Sequence, residues 1–162
     1  MGEVIIAFAR PDGYFNCGVF LVDVFCLGIK NAFYTEISKQ SLLELIGNSD
    51  PDNERAGMVD PACARHFIEK AAAYAQRFGF NPHPDYKKAR KIFKHVPDGR
   101  CACSFAFGHE GKPLFIAGPH DSHEKCQTII RVLTARCGKD GFHYLVGVPD
   151  HLVPESVEQQ FK

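Results

Sequence analysis

Three carboxylates in short polar segments are the side chains of this sequence best suited to metal-ion chemistry. Asp23 stands within an apolar run, Asp85 follows Asn81-Pro82-His83-Pro84, and Asp121 follows Gly118-Pro119-His120. If the three carboxylates converge, they form an oxygen site that suits Mg²⁺ or Mn²⁺. One functional hypothesis is therefore a divalent-metal-assisted phosphodiester or phosphoryl hydrolase, similar in its chemistry to a nuclease.

Neighbouring side chains would complete this hypothetical site. Lys30 is available for a substrate phosphate, and His83 and His120 would add nitrogen ligands. A zinc alternative draws on histidines and cysteines: His83, His120, His123, Cys26, Cys101 and Cys103. Zn²⁺ is less favoured, because these cysteines lack the two-residue spacing and the second ligand pair of structural zinc sites. Cys26 with a histidine and Asp23 could also make a thiol nucleophile, although no nucleophile signature surrounds it.

Each carboxylate also has a structural explanation that needs no metal. Asp85 and Asp121 are predicted in first turns of helices, where a carboxylate meets free N–H groups and the positive end of the helix dipole. Asp23 lies in the run over residues 18–30, which is predicted as one central strand covered on both faces. An isolated ionised carboxylate is costly there, so Asp23 would accept structural hydrogen bonds, pair with Lys30 or bind a metal.

Apolar periodicity and turn residues predict three strands, a central helical block, two strands, a helix and a last strand. The predicted strands cover residues 4–9, 18–30, 32–37, 101–107, 113–117 and 142–148. The predicted helices begin at Ser41, Pro61, Pro84 and Asp121, and end near Gly47, Gly79, Lys94 and Gly138. A polar loop is predicted over residues 48–57. This order predicts an α+β fold, a mostly antiparallel sheet with the helical block and the C-terminal helix packed on it.

Length and composition predict one ordinary globular domain. The chain has 162 residues, of which 45% are apolar and 23% are charged, and we expect a domain over residues 1–149 with a loosely attached tail over residues 150–162. Nineteen basic and nineteen acidic residues cancel, so net charge gives no argument for nucleic acid. Another protein is the favoured partner. The oligomeric state is not indicated.

The cysteines and the N-terminus predict a cytoplasmic location. Seven cysteines without an N-terminal signal pattern indicate reduced thiols rather than a disulfide framework. No apolar stretch approaches the roughly 20 residues that span a bilayer, so no membrane association is expected.

Three segments resemble a group of bacterial proteins of unknown function. They are GVFLVDVFCLGIKNA at residues 18–32, AYAQRFGFNPHPDYKKA at residues 73–89 and GPHD at residues 118–121. The resemblance covers nearly the whole chain and implies a cytosolic bacterial domain, without any catalytic residues to transfer.

The favoured functional hypothesis is an accessory or protein-interaction domain without catalysis of its own. The chain has no Gly-rich phosphate loop, paired-histidine zinc motif or serine elbow. Its partner would contact either the loop over residues 48–57 or the basic outer face of the helix that begins at Pro84. That face, which could also be simply solvated, contains Lys87, Lys88, Arg90, Lys91 and Lys94.

Overall fold

The computed structural model of this protein describes residues 1–49, 57–96 and 101–146. In order, its elements are β1 (Gly2–Ala9), β2 (Phe15–Asp23), β3 (Gly28–Ile37), α1 (Lys39–Ser49), α2 (Pro61–Arg77), α3 (Tyr86–Ala89), a 3₁₀ helix (Arg90–His95), β4 (Leu114–Ile116), α4 (His123–Cys137) and β5 (His143–Leu145). Most of the predicted loop, at residues 50–56, lies outside the described residues, as do the boundary at 149 and the tail over residues 150–162.

The first three strands form an antiparallel sheet in the order β1-β2-β3. Its register pairs Gly2 with Val22 across β1 and β2, and Phe15 with Ile37 across β2 and β3. Together with the helices, this sheet confirms the predicted α+β class. The prediction of one strand over residues 18–30 is wrong, because β2 ends at Asp23 and β3 begins at Gly28.

Helix α2 covers one face of this sheet. It begins as the sequence predicts, with the Asp60 side chain accepting from the backbone N–H groups of Ala62 and Cys63 and with proline in the first turn. Ala71 and Ala75 form part of its buried face and lie against the start of β3. A Cβ on Gly28 would stand 2.7 Å from Cβ of Ala75, so glycine permits this close approach.

The helix predicted from Pro84 to Lys94 is divided into α3, of four residues, and the following 3₁₀ helix. Ile92 and Phe93 are buried against the sheet as predicted. Gly18 of β2 allows this contact, since a Cβ there would stand 2.8 Å from Cγ2 of Ile92. The first core therefore lies between the three-stranded sheet, α2, α3 and the 3₁₀ helix.

The C-terminal part contains a second core around α4. As predicted, α4 ends at Gly138, which has a φ of 76°. Its N-cap is Ser122, so the predicted place of Asp121 in the first turn is wrong: Asp121 precedes the cap, and its side chain accepts from the N–H of Gly118 outside the helix. The predicted hairpin of residues 101–107 with 113–117 is wrong, because β4 pairs in parallel with β5 and residues 101–107 form no strand. The second core consists of Cys26, Phe115, Cys126, Ile129, Leu133 and Phe142. Within the described residues, no helix has the length and apolar character needed to cross a membrane.

Candidate functional site

Asp23 closes the turn between β2 and β3. Its Oδ1 accepts from the backbone N–H of Phe25 at 2.9 Å, and its Oδ2 accepts from that of Leu27 at 3.0 Å. The residue is only 8% exposed. These two hydrogen bonds compensate the burial of the carboxylate, as one of the sequence alternatives predicts.

Asp121 is held between a backbone amide and a lysine. Its Oδ2 accepts from the N–H of Gly118 at 2.8 Å, and its Oδ1 accepts from Nζ of Lys125 at 2.6 Å. The hydrogen bond from Lys125 and then that from Gly118 lower the pKa of the Asp121 carboxyl, and the charge of Lys30 lowers this pKa further. Lys30 and Asp121, predicted as parts of one site, are therefore electrostatic neighbours.

The segment with His83 and Asp85 also lies against β3, where the His83 side chain is half-buried and the Asp85 side chain is exposed. The N–H of His83 donates to the carbonyl of Ile29 at 2.9 Å. The Asp85 side chain makes no helix-capping hydrogen bond, and its Oδ2 is 3.9 Å from Nδ1 of His83. His120 is exposed. The capping role predicted for Asp85 is therefore wrong, because α3 is only one turn long and its first amides bond elsewhere.

The predicted magnesium site does not assemble as a compact ligand set. A metal site needs at least three ligand atoms close together. Within the described residues, three or more acidic, histidine or cysteine side chains have all their ligand atoms within 4.8 Å of one another at one place, and there all of them are cysteines. The predicted ligands are Asp23, Asp85, Asp121, His83 and His120. No three of them have their ligand atoms this close together. The catalytic roles predicted for the three carboxylates and for Lys30 stay predictions without this support.

Of the six residues named for the zinc alternative, the described part of the structure places only Cys101 and Cys103 in one cluster of close ligand atoms. Cys26 lies in the second core, where burial raises the pKa of its thiol to about 12. A thiol with such a pKa is a poor nucleophile, which argues against the predicted thiol chemistry. His123 Nε2 lies 2.7 Å from Nε2 of Gln127. Cys101 and Cys103 instead meet Cys63.

Cys63, Cys101 and Cys103 form a cluster of three thiols, the thiol cluster. Their sulfur atoms all lie within 4.8 Å of one another, and Sγ of Cys63 is 3.3 Å from Sγ of Cys103. Cys63 and Cys101 are half-buried and Cys103 is exposed. Sequence reasoning missed Cys63, whose one signal was its position in the first turn of α2, 38 residues before Cys101 in the chain.

The thiols of the cluster have unlike proton affinities. Hydrogen bonding to Cys101 and then to Cys103 raises the pKa of the Cys63 thiol. The same hydrogen bond from Cys63 is the main cause that lowers the pKa of Cys101. Mutual hydrogen bonding therefore shifts the pKa values of Cys63 and Cys101 in opposite directions.

Aromatic side chains hold residues 101–107, the segment that contains Cys101 and Cys103, against α2. The ring of Phe105 lies 5.1 Å from the ring of Phe67 and 5.9 Å from that of His66. Further along, the ring of Phe107 stacks on Tyr74 at 5.4 Å. These contacts explain why residues 101–107 follow the helix rather than pairing as a strand.

A second polar feature is an open groove where α2 faces α3 and the 3₁₀ helix. This basic groove encloses about 730 Å³ and is lined by Arg65, Glu69, Lys87, Arg90, Lys91, Phe93, Lys94, His95 and Val96. It includes most of the predicted basic face, to which the structure adds Arg65. The guanidinium of Arg65 lies 5.7 Å from the ring centre of Phe93, and that of Arg90 lies 5.7 Å from Tyr86.

These features define an α+β protein with a basic groove and a thiol cluster. No protein-family model matches the chain, and no curated protein and no solved structure matches it.

Proposed function

We propose that this protein is an accessory domain, without catalysis of its own, that binds an acidic segment of another protein in the basic groove. The observation that carries this proposal is the concentration of basic side chains in one groove of a chain with no net charge. In line with its resemblance to bacterial proteins, we assign it to the bacterial cytoplasm. The metal-assisted hydrolase has no comparable support.

Charge complementarity favours an acidic partner. Among the described residues that line the basic groove, Glu69 is the one acidic side chain, against three lysines and two arginines. Because the whole chain has equal numbers of acidic and basic residues, this positive potential is local to the groove. A local potential selects a partner segment rather than a uniformly charged polymer.

The two arginines are presented in a way that suits carboxylates. Each guanidinium packs on an aromatic ring, which restricts its motion before a partner arrives. Arg65 already holds one carboxylate, since its Nε lies 3.2 Å from Oε1 of Glu69. A planar guanidinium can bind a further carboxylate through two parallel hydrogen bonds, which lysine cannot do.

The aromatic residues of the groove argue against single-stranded nucleic acid. Proteins that bind single strands stack bases on exposed aromatic rings. Phe93 is only 5% exposed, and Tyr86 beneath Arg90 is 9% exposed. Among the described residues that line the groove, His95 is the one exposed ring, and a single ring offers little surface for stacking successive bases.

A charge reversal inside the groove tests the proposal against a matched reversal outside it. Lys91 lines the groove, whereas the nearby Lys88 is exposed but does not line it. With a fluorescent polyglutamate peptide as the probe, we expect Lys91→Glu to weaken binding about tenfold, or about 1.4 kcal/mol. Lys88→Glu has the same net charge and should change the affinity by less than about twofold.

Three results would contradict this proposal. Equal losses in both variants would show that polyglutamate responds to net charge and not to the groove. Tighter binding of a single-stranded oligonucleotide than of polyglutamate, with the same dependence on Lys91, would make nucleic acid the partner. Hydrolysis of a phosphodiester substrate by the pure protein with Mg²⁺ would restore the hydrolase hypothesis.

A further inference from the structure

We propose that Cys63, Cys101 and Cys103 together bind a thiophilic metal ion, Zn²⁺ in the first instance, at a site open to solvent. The proposal is independent of the basic groove, because none of the three cysteines lines that groove.

The distances between the sulfur atoms match the face of a metal tetrahedron. At a Zn–S distance of about 2.3 Å, tetrahedral geometry places two sulfur ligands roughly 3.8 Å apart. In the thiol cluster, Cys63 and Cys103 are at 3.3 Å and all three sulfur atoms lie within 4.8 Å of one another. Rotation about the side-chain torsions of the three cysteines would bring the sulfur atoms to the metal-bound separation.

Both chain segments that carry the three cysteines are held in place without a metal. Cys63 lies in the first turn of α2, where the Asp60 side chain accepts from its N–H at 3.3 Å. Residues 101–107, which include Cys101 and Cys103, contact the same helix through the rings of Phe105 and Phe67. The N–H of Cys103 also donates to Sγ of Cys101 at 3.4 Å, a hydrogen bond of the kind that stabilises a metal-bound thiolate.

The exposure of the cluster indicates an exchangeable metal rather than a closed structural one. Cys103 is exposed and the other two cysteines are half-buried. The group found among the described residues has three ligands, so water or a small-molecule ligand would occupy the fourth position of a tetrahedral ion. Three soft thiolates select Zn²⁺ or Cu⁺ over Mg²⁺, whose preferred ligands are oxygen atoms.

Binding in this site is an exchange of protons for a metal ion. Three Zn–S bonds form, each thiol that is still protonated loses its S–H bond, and its proton goes to solvent. No electron is transferred. The affinity should therefore increase with pH, and metal addition should acidify a weakly buffered solution of the protein.

Metal titration of the reduced protein tests the site directly. We expect one Zn²⁺ per chain by competition with a chromophoric chelator, and a sulfur-to-metal charge-transfer absorption when Cd²⁺ is the probe. Because loss of an outer-shell partner alone weakens metal binding by about 10- to 100-fold, loss of a ligand in Cys63→Ser or Cys103→Ser should weaken it by about 100-fold or more. Cys137→Ser, which removes a half-buried thiol at the end of α4, should bind as the wild type does.

Thermal unfolding distinguishes lost ligands from lost folding. Without metal, the Cys63→Ser and Cys103→Ser variants should melt near the wild-type temperature, and Zn²⁺ should raise the Tm of the wild type and of Cys137→Ser only. An equal response to Zn²⁺ in all four proteins would overturn the proposal. So would a reduced protein that binds no Zn²⁺ but forms a Cys63–Cys103 disulfide in air, because the cluster would then be a redox pair.

Discussion

Asp23 supports the turn between β2 and β3 through both of its carboxylate oxygens. Asp23→Ala leaves the amides of Phe25 and Leu27 without these acceptors, so we expect a loss of about 1 to 3 kcal/mol in the free energy of unfolding. Asp23→Asn keeps one carbonyl oxygen and should lose less. Urea denaturation monitored by circular dichroism measures both changes.

The exposed Asp85 provides the control for this measurement. Its side chain makes no capping hydrogen bond, so Asp85→Asn should change the free energy of unfolding by less than about 0.5 kcal/mol. A more stable Asp23→Asn protein, or a wild type whose Tm increases with Mg²⁺, would show instead that Asp23 is a strained ligand.

Asp121 predicts how stability depends on acid. Its pKa is lowered in the folded protein, first by the hydrogen bond from Lys125, so the unfolded chain binds its proton more tightly. The resulting stability is complete above the ordinary aspartate pKa of about 3.9 and is lost as pH decreases through the lower folded value. The difference in unfolding free energy between the wild type and Asp121→Asn should therefore be constant near neutral pH and shrink in acid.

A variant of the lysine partner checks the cause of this acid dependence. Lys125→Met removes the first cause of the pKa shift but leaves the hydrogen bond from Gly118, so it should keep part of the pH dependence. A wild type that is stabilised relative to Asp121→Asn by acid would contradict the sign of this prediction.

At the scale of elements, the contact of α2 with the start of β3 depends on small residues on both sides. Gly28 and Gly13 both have positive φ, 67° and 82°, but only at Gly28 would an added Cβ meet neighbours within 4 Å. Gly13→Ala should cost about 1 to 2 kcal/mol through its backbone conformation alone. Gly28→Ala should cost about 1 to 3 kcal/mol more than Gly13→Ala, because the added methyl group overpacks against Ala75 and the Ala71 carbonyl.

Chemical denaturation of Gly13→Ala and Gly28→Ala, with their m-values compared, measures the difference between their losses in the free energy of unfolding. Equal losses would mean that α2 moves away from the strand without cost, and the close approach would then have no energetic role.

Elements with local signals could be predicted from the sequence, and elements set by distant contacts could not. Helices α2 and α4 follow from their caps and apolar stripes, because those interactions lie within one turn of the chain. Apart from Asp23 and Lys30, the run over residues 18–30 is apolar because it supplies residues to all three apolar clusters, so its hydropathy hides the turn that Asp23 closes. Residues 101–107 have strand-like composition but pack their aromatic rings on α2.

The candidate sites show the same division. The basic residues from Lys87 to Lys94 are close in sequence and are predicted to share one helix face, and most of them line the basic groove. Arg65 and Cys63 join their sites only through the docking of α2, a tertiary contact that has no local sequence pattern. The polar segments around Asp23, Asp85 and Asp121 were grouped by residue type, which carries no information about distance.

At the scale of the whole molecule, the two largest of the three apolar clusters found among the described residues predict two levels of local stability. Ile92 and Leu133 are both fully buried, the first in the core beneath the three-stranded sheet and the second in the core around α4. Each truncation to alanine should cost about 2 to 5 kcal/mol. Leu133→Ala should lower amide protection mainly in α4, β4 and β5, whereas Ile92→Ala should lower it in β1 to β3.

Native-state hydrogen exchange followed by mass spectrometry resolves these regions. Uniform loss of protection in both variants would show that the two cores unfold as one cooperative unit.

The connections between strands also predict the order in which the chain folds. The antiparallel sheet joins strands that follow one another through turns of a few residues, so closing its loops costs little entropy. The parallel pair of β4 and β5 can form only after the whole of α4 has been synthesised and folded back. In stopped-flow experiments, Asp23→Asn should therefore slow folding, while Leu133→Ala should mainly accelerate unfolding. On the ribosome, the sheet can begin to form early, and the chain completes its second core only when β5 has emerged.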